Sequence, residues 1–325
     1  QCKRLRDVLS LVSGTSTGSI IAGMVFAGVD AAKISRFYLD DGVRLFNTTR
    51  NWTYPFNPKY KRGPFIETIK TVLKDESLAQ DPDCTLGHPK FQQDGPVYMS
   101  TAFNLMSGRT HFTKSDDPDD KGFLLRDVMA WSGLSAANYF GKIPVPPLPP
   151  NPPIPPRYKW DFVTFDPRFE NKSRTQAVLQ DGGQGTQNCT LGFVLIETLT
   201  RQWFKDGVVI MSLGTGSKKP DVPYKDVARD SMLEQVWKFI WQARAEAESL
   251  QILAVKHVMK ADPISNPQGN RAHRLDWDSE KDYGLDDTSN WNLYKDMAEM
   301  LIASPAFKDA VKDIVAEVSG RPAKY

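Results

Sequence analysis

The chain has 325 residues, of which 40% are hydrophobic and 25% are charged. It is therefore long enough for one large domain or two smaller ones, and too rich in apolar residues for general disorder. Its 41 lysines and arginines nearly balance its 39 aspartates and glutamates, for a net charge of +2. That balance gives no support to a nucleic-acid-binding protein, and no apolar run approaches the ~18 residues of a membrane span.

The first part of the chain predicts a strand, a sharp turn and a helix. The apolar run 8–12 indicates a buried strand. After it, Ile20, Met24 and Ala27 share one face of a helix that Gly28 would end. Further helices are predicted at 65–73 and 123–131, and further strands at 97–103, 110–113 and 208–213. This alternation of strands and helices is typical of an α/β fold.

The second part of the chain differs in composition. Nine of the thirteen residues in 144–156 are proline, which predicts an extended polyproline insertion. That insertion is either a stiff surface segment or a ligand for a partner that binds proline-rich motifs. Beyond residue 225 the pattern is mainly helical, with helices predicted at about 231–259, 289–303 and 305–318.

The cysteines indicate a reducing compartment. Cys2, Cys84 and Cys189 are widely spaced, odd in number and form no CxxC pair. They therefore predict neither a disulfide framework nor a zinc site. On this basis we predict that the protein is cytoplasmic.

The motif that carries chemistry is Gly14-x-Ser16-x-Gly18, between the first strand and the first helix. In this context the pattern predicts a nucleophile elbow, with Thr15 and Thr17 flanking the serine at the tip of the turn. A Cβ at either glycine is expected to clash. The alternative is a glycine-rich turn that begins a helix or binds a phosphate. A Walker loop is excluded because no lysine follows Gly18.

A serine nucleophile needs a base. One candidate is Asp181, which follows the apolar run 177–179 and precedes Gly182 and Gly183, although Asp-Gly-Gly alone is more often a plain turn. The other candidate is a histidine, in a Ser-Asp-His triad of the α/β-hydrolase type. The chain has four histidines, none in a telling local context, namely His88, His111, His257 and His273. Of these, His257 and His273 follow Ser16 and Asp181 in the chain order of that triad.

Together these blocks resemble the patatin-like phospholipase family. Ser13–Ser19 is similar to the family's Gly-Thr-Ser-Thr-Gly elbow, and Gln180–Gly183 to its Asp-Gly-Gly block. Ser132–Phe140 is similar to its Ala-Ser-Ser-Ala-Ala stretch, and Val209–Gly216 to its Ser-Leu-Gly-Thr-Gly strand and turn. The resemblance runs from about residue 7 to about 216, and more loosely to 303.

The resemblance implies one patatin-like domain over residues 1–325. Its core would span about 7–216, with the insertion at 144–156 and a helical C-terminal region at about 225–325. The implied fold is a three-layer α/β/α sandwich around a mainly parallel sheet. The implied activity is lipid acyl hydrolysis, with Ser16 as nucleophile, Asp181 as general base and neither a metal nor a cofactor. A phospholipid or other acyl lipid would be the substrate, with peripheral membrane contact.

One block of the family is not found in the sequence. A glycine-rich segment upstream of the elbow supplies most oxyanion donors in the family, and Gln1–Ser13 contains no counterpart. The sequence therefore predicts an N-terminally truncated fold without the first strand and the oxyanion loop. The Thr17 N–H would be a partial oxyanion donor. Two alternatives to an active acylhydrolase follow, a catalytically inactive member that binds lipid or a partner, and a Ser-Asp-His hydrolase.

Overall fold

The computed structural model describes residues 4–51, 58–105, 108–136, 139–145, 177–184, 188–218, 246–260, 266, 269–279 and 288–320. Contacts divide the chain into two compact units, Gln1–Thr190 and Leu191–Tyr325. The prediction of one patatin-like domain over residues 1–325 stays a prediction.

The first unit is built on a five-stranded sheet. Its strands are β1 (Leu11–Thr15), β2 (Val97–Asn104), β3 (Arg109–Lys114), β4 (Ile143–Val145) and β5 (Ala177–Asp181). Its helices are α1 (Thr17–Phe26), α2 (Ala31–Arg36), α3 (Val43–Thr48), α4 (Arg62–Glu76), α5 (Pro89–Gln92) and α6 (Leu125–Gly133). A π-helical segment, Phe37–Gly42, joins α2 to α3.

The described strands of this unit form a mixed sheet, with one parallel pair and three antiparallel pairs. Strand β1 is parallel to β2, whereas β3 and β5 are antiparallel to β2, and β4 is antiparallel to β5. The short connection between β2 and β3 explains one antiparallel pair, because parallel neighbours need a long crossover.

Two strands share one edge of β2. Along the other edge, β3 pairs with Met99–Asn104. On the shared edge, β1 pairs with residues 97–101, where Thr15 lies opposite Thr101. The antiparallel β5 continues from there, with Asp181 opposite Ala102. The carboxyl ends of β1 and β5 therefore meet, and this meeting point places the candidate site.

Strand β1 begins at Leu11, three residues later than predicted, because Leu5–Val8 form a 3-10 turn. The cause is the buried side chain of Arg6. Its guanidinium donates to the carbonyl oxygens of Phe26 and Phe91, each at 3.1 Å. These two bonds hold the chain in a turn before the strand starts.

The core of the first unit lies where α1 and α6 pack against β2 and against each other. Seven of the ten residues of α1 are buried, which is why its sequence is apolar on nearly every face. The two helices approach closely at Gly23, where a Cβ would lie 2.4 Å from Met129 Cε. The predicted stop at Gly28 is confirmed, since Gly28 follows the helix with φ +78°.

The predicted proline insertion begins in an edge strand. Pro144 and Val145 end β4, which pairs only with β5 among the described strands. An edge position tolerates proline because one side of the strand needs no ladder hydrogen bonds. Residues 146–156 lie outside the described part of the chain.

The second unit contains two short parallel pairs and several helices. Strand β6 (Val209–Leu213) pairs with β8 (Arg271–Leu275), and β7 (Ser217–Lys218) with β9 (Asp278–Ser279). The helices are α7 (Leu191–Thr200), α8 (246–258), α9 (Trp291–Ala303) and α10 (Pro305–Gly320). The prediction of a mainly helical region beyond 225 missed β8. Its sequence, Arg-Ala-His-Arg-Leu, has no apolar alternation, and it is a strand because β6 pairs with it.

Candidate functional site

Ser16 occupies the turn between β1 and α1. Its backbone has φ 54° and ψ −133°, a conformation that side-chain-bearing residues rarely adopt. Such a conformation costs on the order of 1–3 kcal/mol and persists only when its surroundings enforce it. Strained strand-to-helix turns of this kind present a nucleophilic serine in hydrolases. The side chain of Ser16 is partly exposed, and Thr17, the first residue of α1, is exposed.

The two glycines of the motif differ in their packing. A Cβ on Gly14 would lie 2.1 Å from the carbonyl oxygen of Gly18, so the close approach of strand and helix requires glycine there. A Cβ on Gly18 would meet no atom within 4 Å. The predicted clash is therefore confirmed at Gly14 and wrong at Gly18, where the chain has already turned away into the helix.

The structure brings Ser16 and Asp181 together. The Ser16 hydroxyl donates to Asp181 Oδ2 at 2.5 Å. The contact follows from the sheet, because Ser16 comes directly after β1 and Asp181 ends β5, and these two strands meet on one edge of β2. Asp181 is only 4% exposed, so its carboxylate is held in a largely dry position next to the partly exposed serine.

The chain after β5 holds the Asp181 carboxylate. The N–H of Gly183 donates to Asp181 Oδ1 at 2.8 Å, which leaves Oδ2 with the Ser16 hydroxyl. The turn is tight at Gly182, where a Cβ would lie 2.8 Å from the carbonyl oxygen of Thr101. The backbone N–H of Asp181 donates to the carbonyl of Ser135 at 3.3 Å. The two predicted loop glycines thus lie against the carboxylate and against β2.

Several residues that sequence reasoning missed hold the turn around Ser16. The Ser16 N–H donates to Ser132 Oγ at 2.6 Å. The hydroxyls of Thr15 and Thr101 are 2.5 Å apart, and Tyr38, in the π-helical segment, donates to the Thr17 carbonyl at 3.1 Å. These partners lie between 21 and 116 positions away in sequence. No local pattern could have indicated them.

A buried hydroxyl cluster lies beneath the first turn of α1. Ser19 Oγ is 2.8 Å from the Tyr98 hydroxyl and 2.7 Å from Ser100 Oγ. Burial raises the pKa of Tyr98 to about 12, so the phenol stays neutral at physiological pH. The cluster ties the start of α1 to β2 without adding charge beneath the elbow.

Three of the four histidines have other described partners, and the fourth is exposed. His111 lies on β3, on the opposite edge of β2 from Asp181, and contacts the Thr113 hydroxyl at 3.2 Å. His273 Nε2 is 2.9 Å from Asp313 Oδ2. His88 Nδ1 accepts the Lys90 N–H at 3.3 Å, and His257 is exposed on α8. The contact at Ser16 that the structure describes is with the Asp181 carboxylate.

The start of α1 offers donors to an oxyanion. The first N–H groups of an α-helix have no partner within the helix. The N–H of Thr17 is the first of these groups. It also lies at the positive end of the helix dipole, which favours developing negative charge. This predicted partial oxyanion donor belongs to the residue that directly follows Ser16 in the chain.

The described residues contain no group of three His, Cys, Asp or Glu side chains that could bind a metal ion. Within the same ranges, no helix combines the length and the apolar character needed to cross a membrane.

Comparison with protein families gives one match. A family model described as "Patatin-like phospholipase" matches residues 2–184, more than half of the chain. The matched residues include Ser13–Ser19 and Gln180–Gly183, whereas Val209–Gly216 lies beyond them, so the resemblance in that block stays a prediction. No curated protein matches the chain. The family match, with the helices and the mixed sheet, confirms the predicted α/β fold class of the α/β/α sandwich type.

Proposed function

Because this chain belongs to the patatin-like phospholipase family, a family of lipid acyl hydrolases, we propose that it cleaves fatty acyl esters with Ser16 as nucleophile and Asp181 as general base. The observation that carries the proposal is the 2.5 Å hydrogen bond from the Ser16 hydroxyl to Asp181 Oδ2, at a strained strand-to-helix turn. Nucleophile and base must be within such reach for proton transfer.

Acylation begins when Asp181 Oδ2 accepts the Ser16 proton as Ser16 Oγ attacks the ester carbonyl carbon. The tetrahedral intermediate then collapses, and the bond to the alcohol breaks. The departing alkoxide takes the proton from Asp181. The Gly183 N–H on Oδ1 holds the carboxylate through both transfers, so that Oδ2 stays directed at Ser16. The product of this half-reaction is a Ser16 acyl ester and a free alcohol.

Deacylation uses the same base. Asp181 accepts a proton from a water molecule, whose oxygen attacks the acyl carbon of the Ser16 ester. Collapse of this second intermediate returns the proton to Ser16 Oγ and releases the fatty acid. The Thr17 N–H supports the negative oxygen in both steps, and one such donor is worth about 10²–10³ in rate.

We expect a phospholipid or a neutral glyceride as substrate, with the enzyme in the cytoplasm or bound peripherally to the membrane surface. The family match supports an acyl lipid as the substrate class. The buried base beside a partly exposed serine suits an ester that enters from a lipid surface. A partner for the proline-rich segment at 144–156 stays a prediction from its composition.

The proposal is tested with p-nitrophenyl esters and with phospholipid vesicles. Ser16→Ala and Asp181→Asn should each reduce hydrolysis by at least 10³-fold. Ser13→Ala is the matched control, because it makes the same change three positions earlier, on the strand that leads to Ser16, and removes a hydroxyl without a hydrogen-bond partner among the described residues. Equal rates for wild type and Ser16→Ala would contradict the proposal and favour a member that binds lipid or a partner without turnover.

A separate pair of substitutions distinguishes the Ser-Asp pair from a Ser-Asp-His triad. His257→Gln combined with His273→Gln removes both histidines that follow Asp181 in the chain. The proposed mechanism predicts that hydrolysis stays within about threefold of wild type. A loss as large as that of Ser16→Ala would instead establish a histidine as the base.

A further inference from the structure

The last turn of α6 and the residue pair after it contact both members of the proposed catalytic pair. We call residues 132–135 the α6 end segment. Ser132 accepts the N–H of Ser16, and the carbonyl of Ser135 accepts the N–H of Asp181. The two contacts are three residues apart in one short stretch of chain. The spacing between Ser16 and Asp181 therefore depends on where this segment lies.

The hydrogen bond between Ser132 and Ser16 is the stronger of the two contacts. Its hydroxyl oxygen is 2.6 Å from the Ser16 nitrogen, and the residue is fully buried. Because Ser16 is strained, with φ 54°, its backbone would relax unless neighbouring groups prevent it. A hydrogen bond to the N–H of the strained residue opposes that relaxation directly. Without Ser132 Oγ, this partly buried N–H would lose the acceptor that the structure describes for it.

Packing reinforces the same contact from the carbonyl side of Ser16. A Cβ on Gly133 would lie 3.0 Å from the Ser16 carbonyl oxygen and 2.6 Å from the Ile20 side chain. The backbone of α6 therefore touches the turn closely. Ser132 holds the N–H of Ser16 while Gly133 lies against its C=O, so the peptide groups on both sides of Cα are constrained.

The α6 end segment is itself fixed. Arg62 Nε donates to the Leu134 carbonyl at 2.7 Å, and the Ser135 hydroxyl donates to the Trp131 carbonyl at 2.6 Å. The segment is thus held by α4 and by its own helix before it contacts Ser16 and Asp181. A rigid support of this kind is what keeps reacting groups at productive distances.

We propose that Ser132 is a positioning residue, which fixes the backbone of Ser16 so that its hydroxyl stays in line with Asp181 Oδ2. The proposal rests on the proposed function and names a residue that acts through Ser16. Ser132 touches neither substrate nor Asp181 in this scheme. Its loss should lower the rate of the chemical step and leave substrate binding nearly unchanged.

The test compares Ser132→Ala with Ser77→Ala. Both serines are buried, but the hydroxyl of Ser77, which directly follows α4, donates to the Leu73 carbonyl and accepts the Gln80 N–H. Ser132→Ala should lower kcat for a p-nitrophenyl ester by about tenfold, with KM within twofold, whereas Ser77→Ala should leave both constants within about threefold. The rate of covalent labelling of Ser16 by a fluorophosphonate should fall in parallel with kcat. Thermal unfolding of both variants checks that their losses of stability are similar.

The outcomes separate this proposal from the proposed function. If wild type is no faster than Ser16→Ala, the proposed function is wrong. If wild type is active but Ser132→Ala and Ser77→Ala lose the same fraction of kcat, the function stands and the positioning role is wrong. A Ser132→Ala protein that changes KM but not kcat would also contradict the positioning role. Should Ser132→Ala fail to fold, Ser132→Cys replaces it, since the thiol keeps the side-chain volume but is a weak acceptor.

Discussion

Ser16 combines a strained backbone, a short hydrogen bond to Asp181 and partial exposure to solvent. Its positive φ is enforced by neighbours on three sides, the close approach at Gly14, the Ser132 hydroxyl and the α6 backbone. Two of these contacts come from α6, at a residue 116 positions away, so the conformation of Ser16 depends on how α6 packs against the turn. Single substitutions around Ser16 should show which contacts are needed for the fold of the turn and which are needed for hydrolysis.

The glycine pair of the elbow gives one such comparison. Gly14→Ala should lower the free energy of unfolding by about 2 kcal/mol or more, because its Cβ would overlap the Gly18 carbonyl. Gly18→Ala should raise that free energy by up to about 1 kcal/mol, because alanine favours the helix and meets nothing there. Urea unfolding of both variants measures the difference. Equal destabilisation by both changes would contradict the packing at this turn.

The buried side chain of His111 should make the free energy of unfolding depend on pH. Burial lowers the pKa of His111 to about 4, below the ordinary value of 6.5. Between these values the unfolded chain binds the proton and the folded chain does not. The stability that His111 contributes is therefore complete above pH 6.5 and is lost as the pH falls toward 4.

The measurement is urea unfolding between pH 4.5 and 7 for wild type and His111→Gln. The variant should lose less stability on acidification, by up to about 1.4 kcal/mol per pH unit. Thr113→Val is the control, since it removes the hydrogen bond to His111 but keeps the ring buried. That variant should retain the wild-type loss. If His111→Gln and wild type have parallel pH profiles, the ring is not desolvated in the folded state.

At the scale of elements, α4 holds the chain that follows α6. Arg62, the first residue of α4, donates to the carbonyls of Leu134, Phe140 and Gly141 at 2.6–2.7 Å. A planar guanidinium has five N–H donors on three nitrogens and can reach several separate carbonyls at once. A lysine side chain places all its donors on one nitrogen, so it cannot span the same carbonyls. This one side chain therefore fixes both the α6 end segment and the loop that leads to β4.

Arg62→Lys should consequently lower the free energy of unfolding by about 2–3 kcal/mol. It should also lower ester hydrolysis by several fold, because the Leu134 anchor precedes the Ser135 carbonyl that binds Asp181. Arg44→Lys, the same change at an exposed arginine paired with Asp41, should cost less than about 1 kcal/mol. Chemical denaturation and the ester assay measure both effects. An Arg62→Lys protein as stable as Arg44→Lys would exclude the anchoring role.

At the scale of the whole molecule, the first unit has a hydrophobic core of its own. Every residue of the main buried cluster lies between Ile20 and Leu179, inside Gln1–Thr190. Ser16 and Asp181 lie in the same unit, and the family match ends at residue 184. The helix α9, by contrast, has no buried residue. The core and the candidate site thus coincide within one compact unit.

A fragment of residues 1–190 should therefore fold alone. We expect a cooperative thermal transition and labelling of Ser16 by a fluorophosphonate, because the fragment holds the core and both proposed catalytic residues. Circular dichroism during heating and mass spectrometry of the labelled fragment measure the two effects. Ser16→Ala in the same fragment is the labelling control. A fragment that shows no cooperative transition would mean that residues 191–325 are needed for the fold.

Much of the first unit could be predicted from local sequence. The apolar pattern of α1, the glycine that ends it and the strand at 97–103 all match the structure. Such elements follow from residue spacing and capping alone. The mixed sheet and β8 could not be predicted, because pairing between distant strands decides both.

For the candidate site, the predictable part was the pair of motifs and the unpredictable part was their surroundings. Ser16 and Asp181 stand in recognisable blocks, and the resemblance of those blocks suggested that the two side chains meet. Ser132 also stands in such a block, Ser132–Phe140, but that resemblance did not indicate a contact with Ser16. A serine near the end of a helix has the same sequence pattern whether its hydroxyl bonds back to that helix, as in Ser135, or to a residue 116 positions away, as in Ser132.

The head-to-head meeting of β1 and β5 has a consequence for biosynthesis. The hydrogen bond between Ser16 and Asp181 joins residues 165 positions apart. At ribosomal speeds of about 5–20 residues per second, roughly 8–33 s pass between the synthesis of the serine and that of its partner. Throughout that interval the nascent chain carries an unactivated hydroxyl. Lipid hydrolysis by this mechanism would therefore begin only after β5 has left the ribosome and joined the sheet.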